Sequence, residues 1–202
     1  MKFTRVFPLF VLLLSSIGAM AQAGIYAEGS LANLTGLTHN GAPNVGWMIG
    51  PTFGAYLQTP VQKRIQLGGD LRGQFFSRND SNYANTGFAL DTKLYTFQFG
   101  PRVAFTTPVV ALKPYAEFLF GIAHENETIS GSGQSVPLTG TGGSFQFLAG
   151  ADYSLWPLWS WRVLEVGYGH ASANVSGGGF TEKVSSSPFI ISTGIVFVLP
   201  HK

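Results

Sequence analysis

Bulky apolar side chains alternate with small or polar ones, residue by residue, in eight separate stretches of this chain. In the last stretch Phe197 and Leu199 share one face, while Ser192 and Gly194 share the other. Successive side chains of a β-strand point to opposite sides, so the pattern predicts eight strands that each have one apolar face. The stretches cover about residues 24–33, 45–57, 64–76, a segment that ends at 105, 113–124, 145–155, 161–170 and 192–199.

The segments between these stretches alternate between long and short. Long polar segments at 35–44, 77–87, 125–143 and 171–187 predict loops, and the one rich in Gly, Ser and Thr, 125–143, predicts the longest loop. Short segments at 58–63, 106–112 and 156–160 predict turns. Outer-membrane barrels have long extracellular loops and short periplasmic turns. The alternation therefore predicts an all-β, eight-stranded, antiparallel up-and-down transmembrane β-barrel in a cell outer membrane, with both termini in the periplasm.

The N-terminus has the pattern of a cleaved signal peptide. Lys2 and Arg5 precede an apolar run over 6–17, and small residues then offer cleavage sites after Ala21 or Ala23. We therefore expect a signal peptide at 1–23 and a barrel domain at 24–202. Cleavage of the signal peptide removes Lys2 and Arg5, and with them the formal net charge of +2. The mature chain is therefore near neutral and has no basic charge that favours binding to nucleic acid.

The composition favours a membrane barrel. Charged residues make up 11% of the chain, against about 25% in ordinary soluble domains. There are 26 Gly, 17 Phe and no Cys, which excludes disulfides, thiolate metal sites and lipoprotein processing. After the signal peptide no apolar run reaches the length of a helical span. The chain also lacks a phosphate-binding loop and a clustered set of histidines, so we expect no cofactor and no metal.

The volume of a small barrel decides which face of the strands points outward. The interior of an eight-stranded barrel is just filled by side chains, so the Phe-rich faces must contact lipid and the Gly-rich faces must line the lumen. Arg72 and Arg102 then lie inside, where buried charges have to be paired. We expect them to form ion pairs with the interior carboxylates, or else to line a narrow pore for small solutes. The predicted interior polar network contains Glu28, Asp70, Arg72, Gln98, Arg102, Glu117, Gln146, Asp152 and Glu165.

Two further features bear on the barrel walls. Pro51 and Pro101 fall inside predicted strands, and because each follows Gly we expect a β-bulge at both places. Tyr and Trp residues near strand ends are typical of interfacial girdles. The predicted girdle contains Trp47, Tyr56, Tyr95, Tyr153, Trp156, Trp159, Trp161 and Tyr168.

The last strand carries a resemblance to a known family. Ser192, Gly194, Phe197 and Leu199 have the spacing of the C-terminal insertion signal of outer-membrane β-barrels, which has a polar residue, a Gly two later, and apolar residues five and seven later. With the signal peptide and the alternating strands, the chain resembles the small barrels of the OmpA/OmpX and opacity-protein kind. The resemblance implies outer-membrane lipid, lipopolysaccharide and the barrel-insertion machinery as partners, with an unidentified extracellular ligand as a further possibility. It implies a non-catalytic protein with a structural or surface-interaction role through its extracellular loops.

One short motif implies an enzyme instead. His170 and Ser172 are two residues apart and share the lipid-facing side of strand seven, which resembles the His-x-Ser of outer-membrane lipid A deacylases. Such a serine hydrolase needs an acid to orient the histidine and a donor for the oxyanion. Under this alternative Glu182 supplies the acid and Asn174 the donor.

Overall fold

The computed structural model describes residues 21–35, 46–83, 88–107, 111–131, 134–177 and 180–199. These ranges form eight antiparallel strands, each paired with the next, and β8 pairs with β1 to close the barrel. The predicted fold is therefore confirmed. The strands are β1 (Gln22–Thr35), β2 (Gly46–Gln62), β3 (Ile65–Tyr83), β4 (Phe88–Phe105), β5 (Leu112–Gly131), β6 (Gln134–Trp156), β7 (Trp159–Gly177) and β8 (Phe180–Val198).

The aromatic faces point outward, as the volume argument predicted. Phe97, Phe120 and Phe147 are 53%, 43% and 56% exposed, whereas Arg72 and Glu165 are fully buried in the lumen. An outer surface this apolar suits lipid and not water, because large apolar patches are rare on soluble monomers.

The predicted long loops are mostly wrong, because the strands continue into them. β5 runs to Gly131 and β6 begins at Gln134, so most of the 125–143 segment is a paired hairpin in which Glu125 faces Gly140. The segments 77–87 and 171–187 likewise become strand for most of their length. Beyond the membrane the outer face contacts water, so the apolar alternation ends although the ladder of backbone hydrogen bonds goes on. Residues 36–45, which hold most of the first predicted loop, lie outside the described ranges.

The bulges predicted at Pro51 and Pro101 are also wrong. The register between β2 and β3 is the same before and after Pro51, and the register between β4 and β5 is the same on both sides of Pro101. Each proline follows a glycine, and this glycine explains how the strand continues through the proline without the extra residue of a bulge. A Cβ built on Gly100 would overlap the backbone carbonyl oxygen of Phe118 on β5, so the lack of a side chain lets the two strands approach closely.

The predicted aromatic girdle is outward-facing except at Tyr56. Trp47, Trp156, Trp161 and Tyr168 are 49%, 67%, 45% and 56% exposed, but Tyr56 is buried in the lumen with 6% exposure. Tyr56 shares its side of β2 with the inward-facing Thr52 and Gln58, so period-two counting should have placed it inside.

The lumen is filled in layers. From the end of the barrel that holds the chain termini come the glutamines Gln22, Gln58 and Gln66, then three tyrosines with the buried ions, then a layer of amides and hydroxyls, and then an apolar plug. Every residue of the plug is at most 7% exposed. The plug consists of Ala32, Leu34, Met48, Phe76, Leu94, Ala123, Ala171 and Ile190.

The predicted signal peptide and the predicted absence of a membrane-spanning helix concern the chain outside the barrel wall. Most of the predicted signal peptide, residues 1–20, lies outside the described residues, so the division at 23/24 stays a prediction. Within the described ranges, no helix has the length and apolarity that a membrane crossing requires.

Candidate functional site

Arg72 lies at the centre of the buried ion network. Its guanidinium donates to both carboxylate oxygens of Glu165, with Nη1–Oε1 at 2.6 Å and Nη2–Oε2 at 2.8 Å. Nη2 also donates to Glu117 Oε2 at 3.2 Å, and Nε lies 3.8 Å from Asp70 Oδ1. One side chain on β3 therefore connects three carboxylates on three strands.

Arg102 occupies the network nearer the periplasm. It pairs with Glu117 on the neighbouring strand β5 and donates from Nη2 to Asp152 Oδ2 at 3.1 Å. Its Nε donates to Gln58 Oε1 at 3.2 Å, which joins the ion network to the glutamines at the periplasmic end. The structure thus brings the two predicted arginines together with four of the five predicted carboxylates, all except Glu28.

A third arginine, Arg162, belongs to the network, and the sequence reasoning missed it. It pairs with Glu28 on β1, and its Nε donates to Asp152 Oδ1 at 2.9 Å. Arg162 and Glu165 are three residues apart, so strict alternation from Glu165 places Arg162 on the lipid side. The register of β7 shifts between these two residues, and this bulge turns both side chains inward. Two charged residues near each other in an apolar strand were the available signal for such a shift.

Three tyrosines sandwich the guanidinium groups. Arg102 lies 4.4 Å from the ring centroid of Tyr56 and 3.8 Å from that of Tyr115, and Arg162 lies 4.3 Å from that of Tyr26. The phenol of Tyr26 also donates to Asp70 at 2.7 Å, and that of Tyr115 donates to Glu165 at 2.7 Å. Cation–π contacts strengthen when desolvated, so the rings stabilise the arginines where water is excluded.

The network holds more carboxyl groups than guanidinium groups. Three arginines face the five carboxyls Glu28, Asp70, Glu117, Asp152 and Glu165, and all eight side chains are at most 7% exposed. One oxygen of Glu28 and one of Asp70 have no hydrogen-bond partner. The network therefore has fewer positive than potential negative charges, and the loss of one arginine leaves buried carboxylates without a counter-ion.

The two predicted network glutamines lie in the next layer, above the ions. Gln98 donates to Ser144 Oγ at 3.1 Å, and Gln146 donates to Gln74 Oε1 at 2.9 Å. Across the barrel seam, Ser192 donates to Ser30 at 2.8 Å. These neutral groups separate the ion network from the apolar plug.

Three of the insertion-signal residues occupy the two faces of β8, and Leu199 follows its last residue. Ser192 is buried in the lumen, and a Cβ on Gly194 would overlap the Ala27 carbonyl oxygen of β1. Phe197 faces outward and packs edge-on against Trp159 with centroids 4.9 Å apart, and Leu199 is 40% exposed. Their proposed role in insertion stays a prediction.

The hydrolase motif is arranged differently from a Ser-His-acid triad. Nε2 of His170 lies 3.2 Å from Ser185 Oγ and Nδ1 lies 3.5 Å from Ser187 Oγ, both on β8. Ser172 stands beside His170 on the outer side of the same strand. Glu182 pairs with Val175, five positions along β7 from His170, or roughly 16 Å of strand. Asn174 is exposed and pairs with Thr141 and Lys183.

Nothing in the described ranges brings together three His, Cys, Asp or Glu side chains in a metal-binding group. His124 and His170 both face outward and bond to hydroxyls of neighbouring strands, His124 to Thr141 at 2.7 Å. The described site is a buried network of three arginines and five carboxyl groups.

The family follows from comparison with known proteins. Residues 8–186 match the family model described as "Outer membrane protein beta-barrel domain". The chain belongs to this family. No curated protein matches the chain in sequence.

Solved structures agree with this outer-membrane barrel. The chain is similar to the Neisserial surface protein A, with 15% identity, a TM-score of 0.53, and coverage of 88% of this chain and 97% of that one. It is similar to the Yersinia pestis attachment invasion locus protein, Ail, in complex with the heparin analogue sucrose octasulfate, with 14% identity, a TM-score of 0.55, and 88% and 99% coverage. A major outer membrane protein from Thermus thermophilus has 11% identity, a TM-score of 0.59, and 89% and 99% coverage. At these identities the likeness shows the fold alone.

The family fixes the location of the barrel. It spans the cell outer membrane, and an even number of strands leaves both barrel termini on the periplasmic side. The hairpins β1–β2, β3–β4, β5–β6 and β7–β8 therefore project from the cell surface.

Proposed function

We propose that this protein is a closed, non-catalytic barrel that anchors a surface-exposed set of strand extensions in the outer membrane. The observation that carries the proposal is the filled lumen. Ions, amides and apolar side chains form successive layers, and the plug residues Leu34, Met48 and Ile190 are at most 1% exposed. A lumen packed in this way favours a structural or surface-interaction role over the transport of solutes.

The outer ends of the strands support a role at the cell surface. The β5–β6 hairpin continues from His124 to Gly131, which is roughly 25 Å of paired strand beyond the aromatic band. Near its tip, Ile129 and Val136 are 37% and 42% exposed on paired positions. A rigid, paired extension with apolar side chains at its tip suits contact with a partner better than a flexible loop does.

One similar barrel suggests a class of probe. Ail has been crystallised with a heparin analogue, and that binding belongs to Ail. In this chain two cations of the extensions, Arg78 and Lys93, pair with Asp80 at 3.0 Å and Asp91 at 3.3 Å. We therefore expect weak binding to sulfated glycans and look to less charged partners.

Planar-bilayer recording tests the closed lumen. The refolded protein should show no steady conductance. A steady current that disappears in Arg102→Ala would favour the narrow pore instead.

Whole-cell binding to an array of neutral glycans and matrix proteins tests the surface role. Cells with the full protein should retain a partner that is lost when residues 127–138 are replaced by Asn-Gly. Heat-modifiable migration on a gel shows whether the shortened barrel still folds. Equal binding by both variants would remove the β5–β6 hairpin from the function.

A further inference from the structure

The short turns at the periplasmic end of the barrel carry charge of one sign. Lys63 and Arg64 form the β2–β3 turn, and both are exposed. A third cation, Lys113, is the second residue of β5. No Asp or Glu occurs in the sequence around the three turns, which covers 58–66, 105–113 and 155–160. The extensions at the extracellular end carry both signs of charge, so this rim differs from the opposite one.

The two cations of the β2–β3 turn are available to a ligand. Among the described side chains, no carboxylate forms an ion pair with Lys63 or Arg64. Asp70, the nearest acid along β3, is buried in the lumen, where it accepts from Tyr26 and lies near Arg72. The turn therefore presents two positive charges at the level where the barrel wall meets the headgroups of the periplasmic leaflet.

A groove crosses the lipid-facing wall above this turn. Two adjoining hollows of about 300 Å³ and 360 Å³ form it, and both are lined by Ala116 and Phe147. Aliphatic side chains in register on five neighbouring strands make its floor, which is roughly 19 Å long at about 4.8 Å per strand. The floor consists of Leu67, Val103, Ala116, Ala149 and Val166.

The next row of the wall toward the cell surface is aromatic, and it makes one side of the groove. Phe118, Phe147, Tyr168 and Phe189 are in register on β5 to β8. Phe147 and Tyr168 are both 56% exposed, so their rings stand above the alanines of the floor. The groove thus has the width of a few side chains and an apolar floor without a hydroxyl group.

The groove slopes down to the cationic turn. Val166 is seven residues from the periplasmic end of β7, whereas Leu67 is two residues from that of β3. Leu67 also follows Arg64 by three residues, which is roughly 10 Å of strand. A ligand that fits both features has an anionic group at the lower end and a long apolar chain that rises along the floor.

A second copy of the barrel does not match this shape. The rows are perpendicular to the strands, so they slope by the strand tilt of about 35–45°. When two barrels face each other in one membrane, their rows slope in opposite directions and cross at about 70–90°. The aromatic row of one copy therefore cannot lie along the groove of the other. An acyl chain is flexible and can follow the slope.

We propose that the β2–β3 turn and this groove bind one anionic phospholipid of the periplasmic leaflet. The lipid phosphate contacts Lys63 and Arg64, which are the residue types that bind phosphate through charge-assisted hydrogen bonds. One acyl chain lies over Ala116 and Ala149. The site is at the opposite end of the barrel from the hairpins of the proposed surface role, and neither depends on the other.

Native mass spectrometry of the refolded barrel in a non-ionic detergent tests the charge. The probes are dioleoyl phosphatidylglycerol, which is anionic, and dioleoyl phosphatidylcholine, which has no net charge. Each cation near a lipid surface strengthens attraction several-fold, so the first phosphatidylglycerol should bind at least about tenfold more tightly than the first phosphatidylcholine. Lys63→Gln with Arg64→Gln should remove this preference. Lys63→Arg with Arg64→Lys keeps both charges and should retain it, as should Lys93→Gln at the extracellular end.

A matched pair of substitutions tests the groove. Ala116→Phe fills the centre of the floor and should weaken the binding of both lipids several-fold. Ala27 is an exposed alanine on β1, four strands away in the ring of eight and therefore on the opposite side of the barrel. Ala27→Phe should leave the binding of both lipids unchanged.

Four outcomes would overturn the proposal. They are equal affinity for the two lipids, equal loss in Lys93→Gln, equal effects of Ala116→Phe and Ala27→Phe, and a dimer that disappears in Ala116→Phe, which would put a second copy in the groove. Heat-modifiable migration checks that each variant is folded. If Ala116→Phe fails to fold, Ala149→Leu against Ala27→Leu decides by the same comparison.

Discussion

Arg72 and Glu165 face each other across the full width of the barrel. They are 93 residues apart in sequence, yet their side chains meet through two hydrogen bonds of 2.6 and 2.8 Å with no exposure to solvent. β3 and β7 are four strands apart in a ring of eight, which makes them opposite. The pair therefore connects the two halves of the wall through the lumen, in addition to the ladder around it.

Removing Arg72 should destabilise the barrel strongly. Arg72→Met removes the bidentate partner of Glu165 and one of the two arginines that contact Glu117, and breaking a buried ion pair in this way costs about 3–5 kcal/mol. Urea unfolding in lipid vesicles, followed by tryptophan fluorescence, measures the loss.

The double variant Arg72→Met with Glu165→Gln provides the control. It should recover part of the lost stability, because one uncompensated charge has been removed together with its partner. If the two losses simply add, Arg72 and Glu165 are not coupled in the folded barrel.

Gly100 should tolerate no side chain, whereas Gly143 should. A Cβ at Gly100 would overlap the Phe118 carbonyl oxygen, a backbone atom that has no flexible way to withdraw. A Cβ at Gly143 would meet nothing within 4 Å. We expect Gly100→Ala to lower the refolding yield and the urea midpoint, and Gly143→Ala to stay within about 0.5 kcal/mol of the wild type. Similar behaviour of the two variants would contradict the close approach of β4 and β5.

The interior charges were predictable because they depend on side-chain period. Asp70 and Arg72 share a face with Gln74, and that face had to point inward once lumen volume had decided the orientation. Pairing across the lumen was not predictable. Arg72 contacts Glu165 because the barrel closes and its strands are staggered, and neither property can be predicted from the local sequence.

The failures have physical causes as well. Arg162 was not predicted to face the lumen because one extra residue between it and Glu165 reverses which residues of β7 point inward. Glu125 was placed in a loop because the outer face of β5 turns polar at His124. Without apolar alternation, the sequence of a strand in water resembles that of a loop. Such a strand is held by backbone hydrogen bonds, to which any sequence other than proline contributes.

A charge on the lipid face should cost most at the centre of the membrane. Phe120 lies in the middle of the outward apolar row of β5, between Phe118 and Ile122, and is 43% exposed. Phe120→Arg should lower stability by about 2–4 kcal/mol. His124→Arg, four residues along the same face at the polar boundary, should cost about 0–1 kcal/mol. Unfolding of both variants in vesicles measures the difference, and equal costs would be inconsistent with a membrane boundary at His124.

Lipid A should have the same mass whether or not the serines beside His170 are present. His170 Nδ1 approaches the Ser187 hydroxyl at 3.5 Å, where a triad would place a carboxylate, and Glu182 pairs roughly 16 Å away along the strand. Backbone N–H groups in a β-ladder are already committed to neighbouring strands, so the site offers few donors for an oxyanion. We expect identical lipid A spectra from cells expressing the wild type, Ser172→Ala and Ser185→Ala. Ser185 is included because its hydroxyl lies 3.2 Å from Nε2 of His170. An acyl chain released by the wild type and retained in either variant would show that the barrel is a hydrolase, and the variant that retains it would identify the nucleophile.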